Sequence, residues 1–390
     1  MSKSLPCVFA YFAIAVTILS QFADGISAAV YLPLWAVALL VSVWSKGGTI
    51  RFGHRQTFII LLFCIMGACA CLSLLYTGEQ GYLTGFFMLV VKSLLLYFVG
   101  WFLSPHFGAG KNEKTILLVY IVASIVYAGW FVVTYVPSLT AWAQSQQYLF
   151  SQKNSFGQIA GVAALCSAYI ALGCENKGRA LLFVAAAFCL VVAVSLAQCR
   201  TAILAFCVGA IVLLCLLRRK RLFLLLLSIV IVTLMGSPEF RGFFAHVLFL
   251  DKYSGADFGT FASGRSGLWD MAIKVWLNNP LIGTGSYYVD NLYVNCLANV
   301  GIIGTIFMLA VWVPRIVANA RYATSPAISG RFFFANLACA LAAFYLVESL
   351  LEGNPPFGPG SSSFLFWLIG GMLDGQVQGG DKNEMEKFHA

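Results

Sequence analysis

Apolar residues run through this chain in long unbroken stretches, separated by short polar segments that carry Gly, Pro, Asn and most of the charge. A helix needs roughly 20 such residues to cross about 30 Å of hydrocarbon. The pattern predicts spans near 7–23, 27–45, 57–76, 84–103, 115–135, 155–173, 180–198, 202–218, 222–237, 291–313, 332–350 and 360–376, about twelve helices. The first run is followed directly by another, so it reads as a retained span and not as a signal peptide. The expected organisation is all-α and membrane-integral: spans 1–5 within 1–150, spans 6–9 within 151–236, one large loop over 237–290, spans 10–12 within 291–376, and a disordered cytoplasmic tail at 377–390.

Composition supports this pattern. The 390 residues are 60% hydrophobic and only 10% charged, outside the range of ordinary soluble domains. A net charge of +9 would suggest nucleic acid in a soluble protein, but the cations here sit in short loops. Lys46, Arg51 and Arg55, Lys111 and Lys114, Lys177 and Arg179, Arg218 to Arg221, and Arg315, Arg321 and Arg331 all fall on one side if the N-terminus is cytoplasmic. That is the positive-inside pattern, with both termini cytoplasmic, membrane lipids around the chain and no nucleic-acid partner expected. The twelve Cys lie in or beside apolar stretches without zinc-ligand spacing to a His, and read as small core residues outside disulfides.

The opposite side carries few cations, among them Lys153, Arg200, Arg241, Lys252 and Arg265. Orientation does not require basic residues there, which makes these the candidates for binding something. The large loop contains FRGFFAHVLFL, an aromatic stretch suited to the membrane interface, then the Gly-rich SGADFGTFASGRSG. After it comes LWDMAIKVWLNNP, expected to form a short amphipathic helix with Leu268, Met271, Ala272, Val275 and Trp276 on one face.

From Asp290 the order is Asp-Asn, nine residues, Gly301, two residues, Gly304. Upstream, in order, stand Lys153-Asn154-Ser155-Phe156-Gly157, Cys199-Arg200-Thr201, Ser263-Gly264-Arg265 with Trp269, and Asn279-Pro280-Leu281-Ile282-Gly283-Thr284-Gly285. This ordered set, over roughly residues 150–310, resembles the O-antigen ligase and O-antigen polymerase superfamily, in which a His-Asn pair precedes Gly-x-x-Gly after a long periplasmic loop. The resemblance implies a GT-C-like glycosyltransferase of the bacterial inner membrane with its active site facing the periplasm. Its donor and acceptor would be undecaprenyl-pyrophosphate-linked glycans, and a flippase and a chain-length regulator would work in the same pathway. Asp290 stands where a ligase has His. Polymerising members commonly carry Asp-Asn, so the resemblance implies a Wzy-type polymerase of O antigen or capsule, with the ligase as runner-up and a non-enzymatic flippase as the alternative of another class.

The chemistry points to the same residues. Transfer from a lipid pyrophosphate requires cations on the leaving group, and the planar fork of arginine suits phosphate, so Arg200 and Arg265 are the candidates. The acceptor hydroxyl must lose a proton, and a carboxylate in a low-dielectric pocket can take it. Asp290 is the candidate base, with His246 a substitute imidazole. Asn291, Lys153, Asn154, Trp269, Tyr288 and Glu348 complete the expected substrate contacts, the aromatic pair by stacking on sugar rings. Glu348 and Glu352 lie one turn apart and share a face, lining the cavity or pairing with an arginine. The outer acids are scattered with no DxD-like cluster, so neither metal nor cofactor is expected.

Each residue also has a structural reading. Arg200 could snorkel to headgroups, Arg265 could be solvated, and Asp290 could cap the following helix. Gly301 and Gly304 are expected to allow close helix packing, and Gly283 and Gly285 to form the turn that aims Asp290 inward.

Overall fold

All regular elements among the described residues are helices. The computed structural model describes residues 5–22, 27–45, 54–77, 81–107, 111–136, 138–144, 150–218, 233, 236–247, 265–285, 287–357 and 362–388. In chain order the helices are α1 (Leu5–Leu19), α2 (Ser27–Ser45), α3 (His54–Thr77), α4 (Gly81–Leu103), α5 (Lys111–Tyr135), α6 (Leu139–Gln144), α7 (Lys153–Leu172), α8 (Lys177–Leu196) and α9 (Arg200–Leu216). They continue with α10 (Pro238–Val247), α11 (Arg265–Asn278), α12 (Leu292–Thr324), α13 (Pro326–Ser329), α14 (Ala335–Leu351) and α15 (Phe364–Phe388). The expected span 222–237 lies almost wholly outside the described residues, as does most of the Gly-rich stretch before Arg265.

Among the described residues, five helices are long and apolar enough to cross a membrane: Leu5–Phe22, Glu113–Tyr135, Lys153–Leu172, Lys177–Leu196 and Leu292–Thr324. Val30–Ser45, Thr57–Cys69, Val90–His106, Arg200–Leu216 and Ala335–Leu351 are shorter apolar helices. Together they fit a multi-pass membrane protein. Their outward surfaces are themselves apolar, with Phe12, Leu40, Trp44, Val133, Leu182 and Phe188 exposed, as lipid-facing helices require. The last helix runs through Phe388 and takes in most of the segment expected as a disordered tail. Its Asp, Lys, Glu and Met residues are compatible with continued helix.

Packing is closest where side chains are smallest. Helices α4 and α15 cross at Gly100 and Gly371, where an added methyl group would overlap the carbonyl oxygens of Leu368 and Tyr97 respectively. This is the small-residue contact that lets membrane helices approach backbone to backbone. Helix α14 packs against α9 and α12, α7 against α8 and α9, and α12 against α3, which brings the ends of α7, α9, α12 and α14 together.

One expected topology marker proves to be structural. Helix α12 continues past the predicted span to Thr324, and Arg315 is buried within it. Arg315 Nη1 lies 2.7 Å from Asp374 Oδ2 of α15, and Nε and Nη2 donate to Asn319 Oδ1 at 3.0 and 2.6 Å. Tyr322 and Tyr97 donate to the two Asp374 oxygens at 3.0 and 2.8 Å, and Asn319 donates to the Ala338 carbonyl at 3.2 Å. The network joins α4, α12, α14 and α15. Removing one member of a buried pair strands the other charge, at a cost of about 3–5 kcal/mol. Arg315→Met is therefore expected to lower the thermal unfolding midpoint of detergent-solubilised protein markedly. An unchanged midpoint would show that the pair does not hold these helices together.

Candidate functional site

Five chain segments converge at one end of the bundle: the first residues of α7, α9 and α11, the entry to α12, and the C-terminus of α14. The loop leading to α12 is fixed by a break in that helix. Gly301 has φ 64° and ψ −170°, and the helix is kinked there. Its freed amides bond the preceding turn, Ile302 N to Pro280 O at 2.9 Å and Ile303 N to Leu281 O at 3.2 Å. Thr284 N in turn donates to Ala298 O at 2.8 Å. A Cβ at Gly301 would overlap Leu281, and one at Gly283 would overlap Asn299. Gly283 and Gly285, both at φ +72°, form the expected turn. The packing expectation is thus corrected for Gly301, which is the socket into which the turn docks. Gly304 does face α3, at Cys69.

A ladder of asparagines then holds the segment before α12. Asn291 accepts from the amides of Tyr293 and Val294 at 3.0 and 3.1 Å and donates to the Leu350 carbonyl at 3.0 Å. Asn291, not Asp290, is therefore the N-cap. The cap and the tie to α14 occupy its side chain, which is buried. Asn295 accepts from Val289 N at 3.3 Å and donates to Gly353 O at 3.0 Å. Asn299 exchanges hydrogen bonds with the Tyr287 backbone. Sequence reasoning missed Asn295 and Asn299. Their signal was present, as three asparagines at four-residue spacing inside an apolar run share one helix face.

With the cap supplied by Asn291, the Asp290 side chain turns to Arg265, Oδ2 lying 3.4 Å from Nη2. The same Nη2 donates to Glu352 Oε1 at 3.1 Å. Glu352 also accepts from Asn154 Nδ2 at 3.0 Å and from Thr201 Oγ1 at 3.5 Å. Lys153 lies within electrostatic reach of Arg200, Arg265 and Glu352. Three cations expected from separate motifs thus gather around two carboxylates. Arg265 commits only Nη2 among the described residues, leaving Nη1 and Nε with hydrogens to donate. Glu352 pairs with Arg265, one of the two roles expected of the Glu348–Glu352 face.

The remaining residues divide. Trp269 Nε1 donates to the Asp290 carbonyl at 3.2 Å, so its indole braces the backbone of the site. The Tyr288 ring lies over Gly353, where a Cβ would meet it, and its hydroxyl neighbours Asp290. Glu348 is buried one turn deeper and accepts from Gln158 Nε2 at 3.0 Å. His246 Nε2 lies 3.0 Å from the Trp142 carbonyl and 3.2 Å from Gln198 Nε2, two residues before Arg200. Helix α11 forms as expected but turns differently. Ala272 is buried and Trp269, Val275 and Trp276 are half-buried, while Leu268 and Met271 are exposed. Among the described residues no three His, Cys, Asp or Glu side chains converge as a metal site would require.

Burial and the neighbouring Asp290 carboxylate push the Glu352 carboxyl up to about 7, against the pull of Arg265 and the Asn154 amide. Glu352 therefore holds its proton more tightly in the folded protein than in the unfolded chain. Its contribution to stability is complete below the ordinary carboxyl pKa of 4.5 and is lost as pH rises through about 7. Thermal unfolding from about pH 5 to about pH 8 is expected to show wild type losing stability relative to Glu352→Gln. Parallel curves for the two proteins would contradict this linkage.

No curated protein sequence matches the chain. The stretch 185–309 contains Arg200, Arg265 and Asp290, and ends before Glu348 and Glu352. Those residues, 185–309, match the family model described as O-antigen ligase, and the match supports the O-antigen ligase/polymerase superfamily for this chain.

Proposed function

We propose that the protein is a Wzy-type polysaccharide polymerase of the bacterial inner membrane, with its site on the periplasmic face. It joins undecaprenyl-pyrophosphate-linked repeats into O antigen or capsular polysaccharide, and does so without a metal. Arg200 and Arg265 hold the donor pyrophosphate as it leaves, with Lys153 adding charge beside them. Asp290 orients the acceptor hydroxyl or takes its proton. The observation that carries this reading is the half-used guanidinium of Arg265. It is anchored by two carboxylates on one nitrogen, flanked by Lys153 and Arg200, and still able to donate from the others. Preorganised donors of this kind stabilise charge developing on a leaving group.

The ligase is the second reading, favoured by the description of the matching family. Asp290 separates the two, because a ligase of this superfamily carries His at that step. A flippase would distribute charges along a path through many helices, whereas here the ion pairs among the described residues form two separate clusters, Arg265 with Asp290 and Glu352 and Arg315 with Asp374. In a deletion strain, a polymerase leaves single repeats on lipid A core, whereas loss of a ligase leaves none. Single repeats on core support polymerisation, and bare core supports the ligase. Purified protein given lipid-linked repeats is expected to build a ladder, and Arg265→Ala or Arg200→Ala to slow it by about 100-fold or more. Full polymerisation by Arg200→Ala, Arg265→Ala and Asp290→Ala alike would remove this site from the reaction.

A further inference from the structure

The two carboxylates on Arg265 are not equivalent. The Asp290 side chain is 31% exposed and that of Glu352 only 6%. Asp290 touches Arg265 through one oxygen at 3.4 Å. Glu352 is gripped at both oxygens, by Arg265 and Thr201 on Oε1 and by Asn154 on Oε2. Its backbone is fixed as well. Glu352 N donates to Glu348 O at 2.8 Å, and the next carbonyl, that of Gly353, accepts from Asn295. Three helices, α7, α9 and α11, thus hold a carboxylate that the end of α14 delivers to the floor of the site, while Asp290 stands at its rim.

Resting on the glycosyl-transfer reading above, we propose that Glu352, and not Asp290, accepts the proton of the attacking hydroxyl, and that Asp290 positions the acceptor sugar. The acceptor O–H bond breaks and its proton passes to the Glu352 carboxylate. The freed oxygen forms a bond to the donor anomeric carbon. The bond from that carbon to the pyrophosphate oxygen breaks, its electron pair leaving with the lipid pyrophosphate, whose charge Arg200 and Arg265 receive. Glu352 then returns its proton to solvent.

The surroundings suit this role. A general base works best when its pKa lies near the working pH, and Glu352, at about 7, is charged in a large fraction of molecules yet basic enough to take a proton. The groups around it come from every side: Lys153 and Asn154 from α7, Cys199 and Thr201 at the start of α9, Arg265 from α11, Tyr288 and Asp290 from the loop, and Glu348 from α14, with Arg200 acting on Lys153. Donor binding sharpens the effect. A pyrophosphate that draws Arg265 toward itself weakens the counter-charge on Glu352 and raises its proton affinity as the acceptor arrives.

The test is single-turnover transfer between undecaprenyl-pyrophosphate-linked repeats across pH, with binding of undecaprenyl pyrophosphate measured in parallel. Wild type is expected to show a rate that rises with pH through the neutral range. Glu352→Gln is expected to be about 100-fold slower or more, to lose that rise, and to bind the lipid at least as well as wild type. Glu352→Asp should recover part of the rate together with the rise. Asp290→Asn should keep the rise and show a higher acceptor KM. The proposal is overturned if Glu352→Gln keeps its rate or its pH dependence, if the rise vanishes in Asp290→Asn, or if Glu352→Gln no longer binds the lipid, which would make the residue structural. Wild type that binds the lipid but forms no glycosidic bond would instead contradict the functional reading itself.

Discussion

Charge buried in an apolar bundle must be compensated, and the two places where the described residues bury arginine beside carboxylate do so in opposite ways. Arg315 and Asp374 form a closed system in which all three guanidinium nitrogens and both carboxylate oxygens have partners, with side chains 4% and 0% exposed. These partners are all protein groups from the same and neighbouring helices, and the pair serves packing. Arg265 sits on Asp290 and Glu352 through a single nitrogen, at the open end of the bundle. Two carboxylates share one guanidinium nitrogen there, with the like charges of Lys153 and Arg200 nearby.

The rest of the fold at this end exists to hold that arrangement. The helix break at Gly301 gives the Pro280–Thr284 turn a socket, and the turn sets where the chain re-enters at Asp290. The Asn291, Asn295 and Asn299 ladder then fastens residues 287–289 and Gly353, so the segments carrying Asp290 and Glu352 are tied to one helix face. Close contact of α7 with α9, where Gly157 leaves no room for a Cβ against Cys199, brings Asn154 and Lys153 to Arg200. Geometry of this kind depends on the supporting shell as much as on the residues at its centre.

Much of this was legible in the sequence. Apolar runs gave the positions of helices among the described residues, five of them long and apolar enough to cross a membrane. The order of short motifs singled out Lys153, Asn154, Arg200, Arg265 and Asp290, which the fold brings together. Other features were not legible, for identifiable reasons. A glycine in Gly-x-x-Gly can pack a helix or break it, and only the docked turn decides between them. Arg315 looks like a loop cation because its partner Asp374 is distant in sequence. His246 drew notice as an imidazole, yet its partners Trp142 and Gln198 come from segments whose proximity no local pattern encodes. Glu352 lay at a helix end beside a Pro-rich turn, and its role depends on Arg265 approaching from another segment.

The central claim is that this cluster receives a lipid pyrophosphate. A structure with undecaprenyl pyrophosphate bound tests it most directly. The account predicts the two phosphates between Arg200 and Arg265, with guanidinium nitrogens about 2.7–2.9 Å from phosphate oxygens and Glu352 still lining the site. Phosphates seated away from both arginines, at the opposite end of the bundle or on the lipid-facing surface, would contradict it.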